Sequence, residues 1–428
     1  MPDGWEAHRL KYNYREIDHR SQTGDEEMLS VSHITGITPR SQKNVTMFMA
    51  ESNIGLKICE PDDIVVNTMW AWMAAMGVSA YSGIVSPSYG VYKPINEIYN
   101  PKYLNLLLRT NEYQAEYMRR STGIRPSRLR LYPDKFLDIR FILPPRDEQD
   151  KIVHYLDWKV SQINKLINAK RRQIELLQEQ KQTVVNEAVT RKNEHWIFGR
   201  IGRYYEVTLG KMLQPNKKSE DDSMEYYMCA ANIKWSGVTL NPLKQMWFSP
   251  QELSAYRISL GDLLVTEGGD VGVSSIWKNE INFCCIQNSV HLVTSSAESI
   301  KYLYYWLFNL KNLGWIDSIC SKATIAHFTK EKLSNAPLSL PPRKEQDLIV
   351  GYLDEQFERI EIIIRKLNDE IALLTEYRTR LISDVVTGKM DVRDVVVPEY
   401  ETVVETVDTI DDDDKEMTEE RGGENNAE

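Results

Sequence analysis

Five arginines lie within twelve residues in the first third of the chain, and their chemistry suits contact with nucleic acid. The stretch contains a Gly and a Pro, which predicts a loop rather than one face of a helix. A guanidinium group can bind phosphate or guanine through two parallel hydrogen bonds. The candidate DNA-contacting residues in this stretch are Arg119, Arg120, Thr122, Arg125, Arg128 and Arg130.

A less basic stretch occupies the corresponding place further along the chain. It supplies four more candidates, Lys322, Thr324, His327 and Lys330. A single polar cluster of this kind is typical of a solvated surface loop. Its recurrence at a matching place favours nucleic-acid contact, and both interpretations stay open at the level of sequence.

Residue patterns that would indicate an enzyme are absent from the sequence. There is no Gly-x-x-x-x-Gly-Lys-Ser/Thr loop for nucleotide phosphates, and the seven histidines show no metal-ligand spacing. Segment 267–272 (EGGDVG) lacks the glycine spacing of a dinucleotide-binding loop and is interpreted as a turn. We therefore expect no catalytic residue, no metal and no cofactor on this chain.

The net charge of −10 is concentrated at the C-terminus and does not exclude a DNA-binding protein. Residues 391–428 contain 15 Asp/Glu against 3 Lys/Arg, so the first 390 residues are close to neutral. This acidic tail is expected to be disordered. Five cysteines without a Cys-x-x-Cys pair, no signal-peptide core and no long apolar run predict a cytoplasmic protein without membrane contact.

The chain contains an internal sequence repeat. The segment LPPRDEQDKIVHYLD from Leu143 recurs as LPPRKEQDLIVGYLD from Leu340, and about 20 of 48 aligned positions are identical. Weaker echoes precede both copies at a similar offset. The order is therefore variable domain, conserved segment, variable domain, conserved segment and tail.

Both conserved segments are predicted to be long helices. Apolar residues alternate at steps of three and four, which is the pattern of a coiled-coil seam. The seam residues are Val153, Leu156, Val160, Ile163, Ile167, Ile174, Leu177, Val350, Leu353, Phe357, Ile360, Ile364, Leu367, Ile371 and Leu374. Lys181 and its counterpart Arg378 interrupt the stripe, either setting the register or lying at its edge.

The connection between the helices predicts their relative direction. Each helix would be roughly 65 Å long at 1.5 Å per residue. A domain of about 150 residues, with a radius of gyration near 15 Å, returns the chain close to where it entered. We therefore expect antiparallel helices rather than two that each pack only on their own domain.

These observations predict an α+β protein with two α/β-type domains separated by two long antiparallel coiled-coil helices, with pseudo-two-fold symmetry. The predicted boundaries are residues 1–144 and 193–341 for the variable domains, 145–192 and 342–390 for the helices, and 391–428 for the tail.

The sequence resembles the specificity subunits of Type I restriction–modification systems. The motif Leu-Pro-Pro-Arg-x-Glu-Gln-Asp, followed by Ile-Val and Tyr-Leu-Asp, carries the resemblance and occurs twice. Val-Thr-Gly-Lys at residues 386–389 supports it. The resemblance covers residues 1 to about 393, although the variable domains match only in plan and Arg191 replaces the glycine that ends the second helix.

The resemblance implies a non-catalytic chain within a larger complex. Each variable domain is expected to be a target-recognition domain that reads half of a split site in double-stranded DNA. The helices are expected to set the spacing and to dock two modification subunits, which would bind S-adenosylmethionine and methylate adenine. Restriction/translocase subunits are the further partners that it implies.

Two other functions remain open at the level of sequence. A self-contained DNA methyltransferase would bind S-adenosylmethionine without partners. A coiled-coil scaffold without DNA specificity would protect no particular sequence in footprinting.

Overall fold

The computed structural model describes residues 2–42, 52–123, 129–191, 194–279, 284–320 and 326–406. Its internal contacts divide the chain into a first unit, residues 1–171 with 368–428, and a second unit, residues 172–367. Each unit therefore contains one variable domain. About half of each long helix belongs to each compact unit.

The first unit contains ten strands and three short α-helices among its described residues. The strands are β1 (Glu6–Arg9), β2 (Tyr14–Ile17), β3 (Leu29–Ser32), β4 (Gly36–Pro39), β5 (Lys57–Cys59), β6 (Ile64–Val66), β7 (Met76–Val78), β8 (Gly83–Val85), β9 (Gly90–Pro94) and β10 (Arg140–Leu143). The helices are α1 (Pro101–Leu108), α2 (Asn111–Arg120) and α3 (Pro133–Leu137).

The first long helix, α4, spans Arg146–Thr190. The second unit then contains β11 (Ile197–Arg200), β12 (Glu206–Leu209), β13 (Ser223–Met228), β14 (Ile233–Lys234), β15 (Gly237–Val238), β16 (Lys244–Phe248), β17 (Leu263–Thr266), β18 (Ser274–Ile276), β19 (Cys284–Ile286), β20 (Val290–Thr294) and β21 (Pro337–Leu340). Its short helices are α5 (Pro250–Tyr256), α6 (Ile300–Asn312), α7 (Trp315–Ile319) and α8 (Lys330–Asn335). The second long helix, α9, spans Arg343–Val386.

Both units are built around an antiparallel four-stranded sheet with the same topology. The strand order is β2-β9-β6-β7 in the first unit and β12-β20-β17-β18 in the second. The inner strands β6 (Ile-Val-Val) and β17 (Leu-Leu-Val-Thr) are buried along their whole length. Short runs of β-branched and aliphatic residues suit this position, because they pack on both faces of an inner strand.

A two-strand ladder closes each domain at its base. In the second unit β11 pairs with β21 from Ile197–Leu340 to Arg200–Pro337, and β1 pairs with β10 in the first. The strand that follows α4 therefore lies beside the strand that precedes α9. This is the return of the chain to its entry point on which the predicted helix direction depended.

The two long helices run antiparallel within each unit. In the first unit Asn164 of α4 contacts Arg378 of α9, whereas Lys170 contacts Glu370. In the second unit Lys181 pairs with Glu361, while Val189 shares a core with Val350. The predicted α+β class with two long helices is confirmed.

The repeated motif fixes the start of each long helix through a buried glutamine. Gln149 is fully buried; its Nε2 donates to the carbonyls of Ile98 and Pro144, and its Oε1 accepts from the backbone N–H of Asn100. Gln346 likewise donates to Pro341 O and accepts from Ser299 N. Asn100 and Ser299 are the N-caps of α1 and α6, so each glutamine links a long helix to the helix of its own domain.

The tail departs from the expectation of disorder over residues 391–406. This segment lies along α4 in the first unit, where Val392 is buried and Val397 packs on the core. A polar stripe of α4 holds its main chain. Ser161 donates to Glu401 O and accepts from Val403 N, and Asn164 and Asn168 donate to the carbonyls of Val403 and Val404.

Charge pairing explains why this part of the tail is bound. Glu405 contacts Arg171 of α4 and Arg378 of α9, so a single carboxylate joins both helices in the first unit. Arg378, the basic residue on the apolar seam, therefore has a partner from the tail. The composition predicted disorder because it registers net charge and not a matched set of hydrogen-bond donors. Residues 407–428 lie outside the described residues.

Candidate nucleic-acid interface

The first candidate loop is closed by a backbone pair between Thr122 and Arg130. Each residue donates its N–H to the carbonyl of the other at 2.9 Å. Both are exposed, so the stem places the Arg130 side chain at the surface. Arg125 and Arg128 lie outside the described residues.

Arg119 and Arg120 belong to a helix and not to the predicted loop. They form the last turn of α2, where both contact Glu116 at 2.5 Å. Arg120 also approaches Asp138 at 3.6 Å and donates to Lys135 O. Side chains three and four residues apart meet on a helix, so Glu116 extends α2 into the basic stretch. Arg120 is thereby committed to internal contacts, whereas Arg119 stays exposed.

A second turn, absent from the sequence predictions, meets the loop at its base. The backbone N–H of Leu131 donates to Thr68 O at 3.0 Å, in the turn that follows β6. Nη2 of Arg130 lies 3.8 Å from Sδ of the next residue, Met69. A cleft of about 170 Å³ opens beside them, lined by Lys57, Ser88 and Gly90 among others.

The second unit repeats this arrangement with different side chains. The backbone N–H of Phe328 donates to Glu267 O at 2.7 Å, in the turn that follows β17. Nδ1 of the preceding His327 lies 3.9 Å from Oε1 of Glu267. Lys330 is exposed at the start of α8. Lys322 and Thr324 lie outside the described residues.

The EGGDVG segment interpreted as a turn is therefore part of this surface. Glu267 N donates to Ser289 O, which places the β19–β20 turn beside it. Lys311 anchors the far side through Asp270 at 2.7 Å and Val271 O at 2.9 Å. Burial raises the pKa of Glu267, which the nearby His327 opposes. The sequence repeat aligns residues 67–68 with residues 266–267, and this alignment was the signal in the sequence from which the two turns could have been identified.

A buried histidine contacts the main chain at the end of the second candidate stretch. His291 on β20 is fully buried, and its Nε2 contacts Phe328 O at 2.7 Å. Burial lowers its pKa to about 4. Its equivalent in the first unit is Gly90, since Val265 pairs with His291 as Val66 pairs with Gly90. The imidazole therefore fills the position at which the first unit has its cleft.

Acidification should destabilise the second unit through His291. The unfolded chain takes up a proton near pH 6.5, whereas the buried imidazole does so only near pH 4. Folding stability is therefore lost as the pH falls between these values, by about 2 kcal/mol at pH 5. Denaturant unfolding at pH 7 and pH 5 should show this loss, and His291→Gln should remove it. If the exposed control His327→Gln removed it instead, His291 would not be the group responsible.

The fifteen seam residues all lie on inner faces of the long helices. Eight are buried, namely Val153, Leu156, Ile163, Ile167, Val350, Leu353, Ile360 and Leu367. The other seven, Val160, Ile174, Leu177, Phe357, Ile364, Ile371 and Leu374, are half-buried. The Lys181 ammonium lies 4.3 Å from the ring centroid of Phe357. Lys181 and Arg378, the two basic residues that interrupt the seam, each pair with a glutamate, Glu361 and Glu405 respectively.

No group of His, Cys, Asp and Glu within the described ranges has the arrangement needed to hold a metal ion. No helix in that part of the chain has the length and apolar character needed to cross a membrane. The five cysteines are free thiols.

The fold is shared with a solved chain of a restriction–modification complex. That chain comes from work on complex assembly and conformational transition of the type I R-M system. It is 17% identical, with 91% of this chain and 99% of that chain covered and a TM-score of 0.66. The HsdS subunit from Thermoanaerobacter tengcongensis is 16% identical, with coverages of 91% and 98% and a TM-score of 0.49. No curated protein matches the sequence significantly.

A family model matches the second variable domain and part of the second long helix. Residues 193–373 match the Type I restriction modification DNA specificity domain, which includes the second candidate loop and most of α9. The first unit repeats the topology of this matched region. The matched region is therefore similar to a domain that is described as conferring DNA specificity.

Proposed function

We propose that this chain reads a bipartite site in double-stranded DNA, one half with residues 1–144 and the other with residues 193–341. The long helices at 145–192 and 342–390 set the gap and dock two modification subunits. The observation that carries the proposal is the repeated contact between the turn after the inner strand and a residue at the C-terminal end of each candidate stretch. Leu131 N–Thr68 O and Phe328 N–Glu267 O are equivalent bonds in two domains of one topology.

Side-chain chemistry at these two loops supports a division between affinity and specificity. Exposed basic groups such as Arg119 and Lys330 suit phosphate contacts, which give salt-dependent affinity without sequence preference. Arg130 and His327 lie where each stretch rejoins its domain, with several polar groups nearby. Base edges in the major groove are distinguished by such donors and acceptors.

Exposed apolar residues on the long helices support docking of protein partners. In the first unit Leu166, Leu373 and Tyr377 are 52%, 64% and 54% exposed, and in the second unit Leu348 is 74% exposed. Large apolar side chains at this density on helix faces mark interaction surfaces. Modification subunits carrying S-adenosylmethionine are the proposed occupants, and restriction/translocase subunits complete the complex.

Shortening both helices tests the spacing function. Removing residues 172–178 and 363–369 takes one heptad from each helix, about 10 Å of helix, which corresponds to about three base pairs. We expect the reconstituted complex to prefer a shorter gap or to lose specific binding. The measurement is selection from duplexes that hold both half-sites at varied spacing.

Exchange of one domain provides the matched control. Replacing residues 1–142 with those of a relative should change one half-site and leave the gap as it was. A gap that stayed the same after the heptad deletions would contradict the spacing function. Changes in both half-sites after the exchange would contradict two independent readers.

A further inference from the structure

The turns that follow β6 and β17 occupy equivalent places but present different chemistry. The first presents Met69, which is 38% exposed and contacts the Arg130 guanidinium through its sulfur. The second presents Glu267, whose side chain is 15% exposed and whose carboxylate faces the half-exposed ring of His327. One surface is apolar with a cation, and the other is acidic with an imidazole.

The first turn is fixed by its own hydrogen bonds before any ligand arrives. Asn67 Oδ1 accepts from Met69 N at 3.3 Å, and Nε1 of Trp72 donates to Met69 O at 3.1 Å. The rings of Trp70 and Trp72 stack with centroids 5.9 Å apart. A side chain presented from such a turn loses little conformational entropy on binding.

The second turn is fixed by a different set of contacts. Oγ1 of Thr266 donates to Asp270 O at 2.6 Å, and Lys311 holds Asp270 from the adjoining helix α6. Gly269, with φ of +70°, allows the left-handed backbone of the turn and adds no side chain. Glu267 and His327 are thus left as side chains that can define the chemistry of this surface.

We propose that the two turns are base-reading elements, in which Met69 with Arg130 reads one half-site and Glu267 with His327 reads the other. This assignment rests on the proposed function. Arginine pairs with guanine through O6 and N7, and an apolar side chain contacts the thymine methyl group. A carboxylate accepts a hydrogen bond from the cytosine amino group. The half-sites should therefore differ, with guanine and thymine contacts in the first and a cytosine contact in the second.

Methylation-site selection by the complex with its modification subunits tests the assignment. The probe is a randomised duplex library, and the methylated products are sequenced. We expect Glu267→Gln to relax one cytosine position of one half-site by about tenfold to a hundredfold, leaving the other half-site unchanged. Met69→Ala should relax one position of the opposite half-site.

Matched variants separate base reading from general damage. Glu206→Gln changes an exposed glutamate on β12, and Met390→Ala changes a 40% exposed methionine beyond α9; neither should alter the motif. His327→Asn is a second variant at an exposed side chain and should affect the same half-site as Glu267→Gln.

The outcomes distinguish this inference from the proposed function. If the wild-type complex selects a bipartite motif but Glu267→Gln and His327→Asn leave it unchanged, the reading elements are wrong and the proposed function stands. Equal relaxation of both half-sites by Glu267→Gln would also overturn the assignment. If the wild-type complex selects no motif, the proposed function itself fails.

Discussion

Replacing Gln149 with leucine should destabilise the first unit by roughly 3 kcal/mol, because buried polar groups lose their partners without a change in side-chain volume. The groups affected are the N–H of Asn100 and the carbonyls of Ile98 and Pro144. Gln346→Leu should act in the same way on the second unit. Denaturant unfolding would measure the loss, and hydrogen exchange would localise it to the unit that carries the substitution.

An exposed glutamine on the same helix controls for the chemistry of the change. Gln162 lies on the outer face of α4, so Gln162→Leu should shift the free energy of unfolding by less than about 0.5 kcal/mol. Equal effects of Gln149→Leu and Gln162→Leu would show that the hydrogen bonds of Gln149 contribute no stability. If Gln149→Leu alone reduced protection from hydrogen exchange in both units, the effect of Gln149 would not be confined to the first unit.

These glutamines also explain what the sequence motif encodes. The motif that carries the resemblance contains no residue placed at the candidate interface. Its Gln and Arg instead secure the helix start: Arg146 donates to Glu97 O as Arg343 donates to Ala297 O. The motif is recognisable because both copies must make the same buried contacts, whereas the loops differ between the units.

The long helices and their antiparallel direction were predictable because both follow from patterns that extend over many residues of the sequence. Apolar steps of three and four identify the seam, and the limited reach of a domain fixes the return of the chain. The ladder of β11 with β21 supplies the structural reason for that return. Such features depend on many residues at once, so the side chain at any single position matters little.

The candidate interface was less predictable because single contacts define it. Glu267 and His327 are 60 positions apart, and only the folded chain brings them together. Arg120, a predicted DNA contact, pairs instead with Glu116 and Asp138. The bound part of the tail was not predicted for a similar reason. Ser161, Asn164 and Asn168 are polar, so they do not contribute to an apolar pattern, although their spacing places them on one stripe of α4.

Removing residues 392–428 should destabilise the first unit by roughly 2–4 kcal/mol, through lost burial of valine side chains and lost hydrogen bonds to α4. Val392 is 5% exposed, and the carboxylate of Glu405 joins Arg171 to Arg378. Hydrogen exchange should report faster opening of α4 and α9 in the first unit.

A shorter truncation and a pair of point variants decide whether the docked segment is the cause. Ending the chain after Thr406 keeps every contact described above, so it should leave stability within about 0.5 kcal/mol of the full chain. Asn164→Ala with Asn168→Ala removes two side chains that bind the tail main chain and should reproduce part of the larger loss. If truncation after Thr406 destabilised the first unit as much as truncation after Asp391, the stabilising contacts would have to come from residues 407–428. The stripe on α4 would then not be what holds the tail.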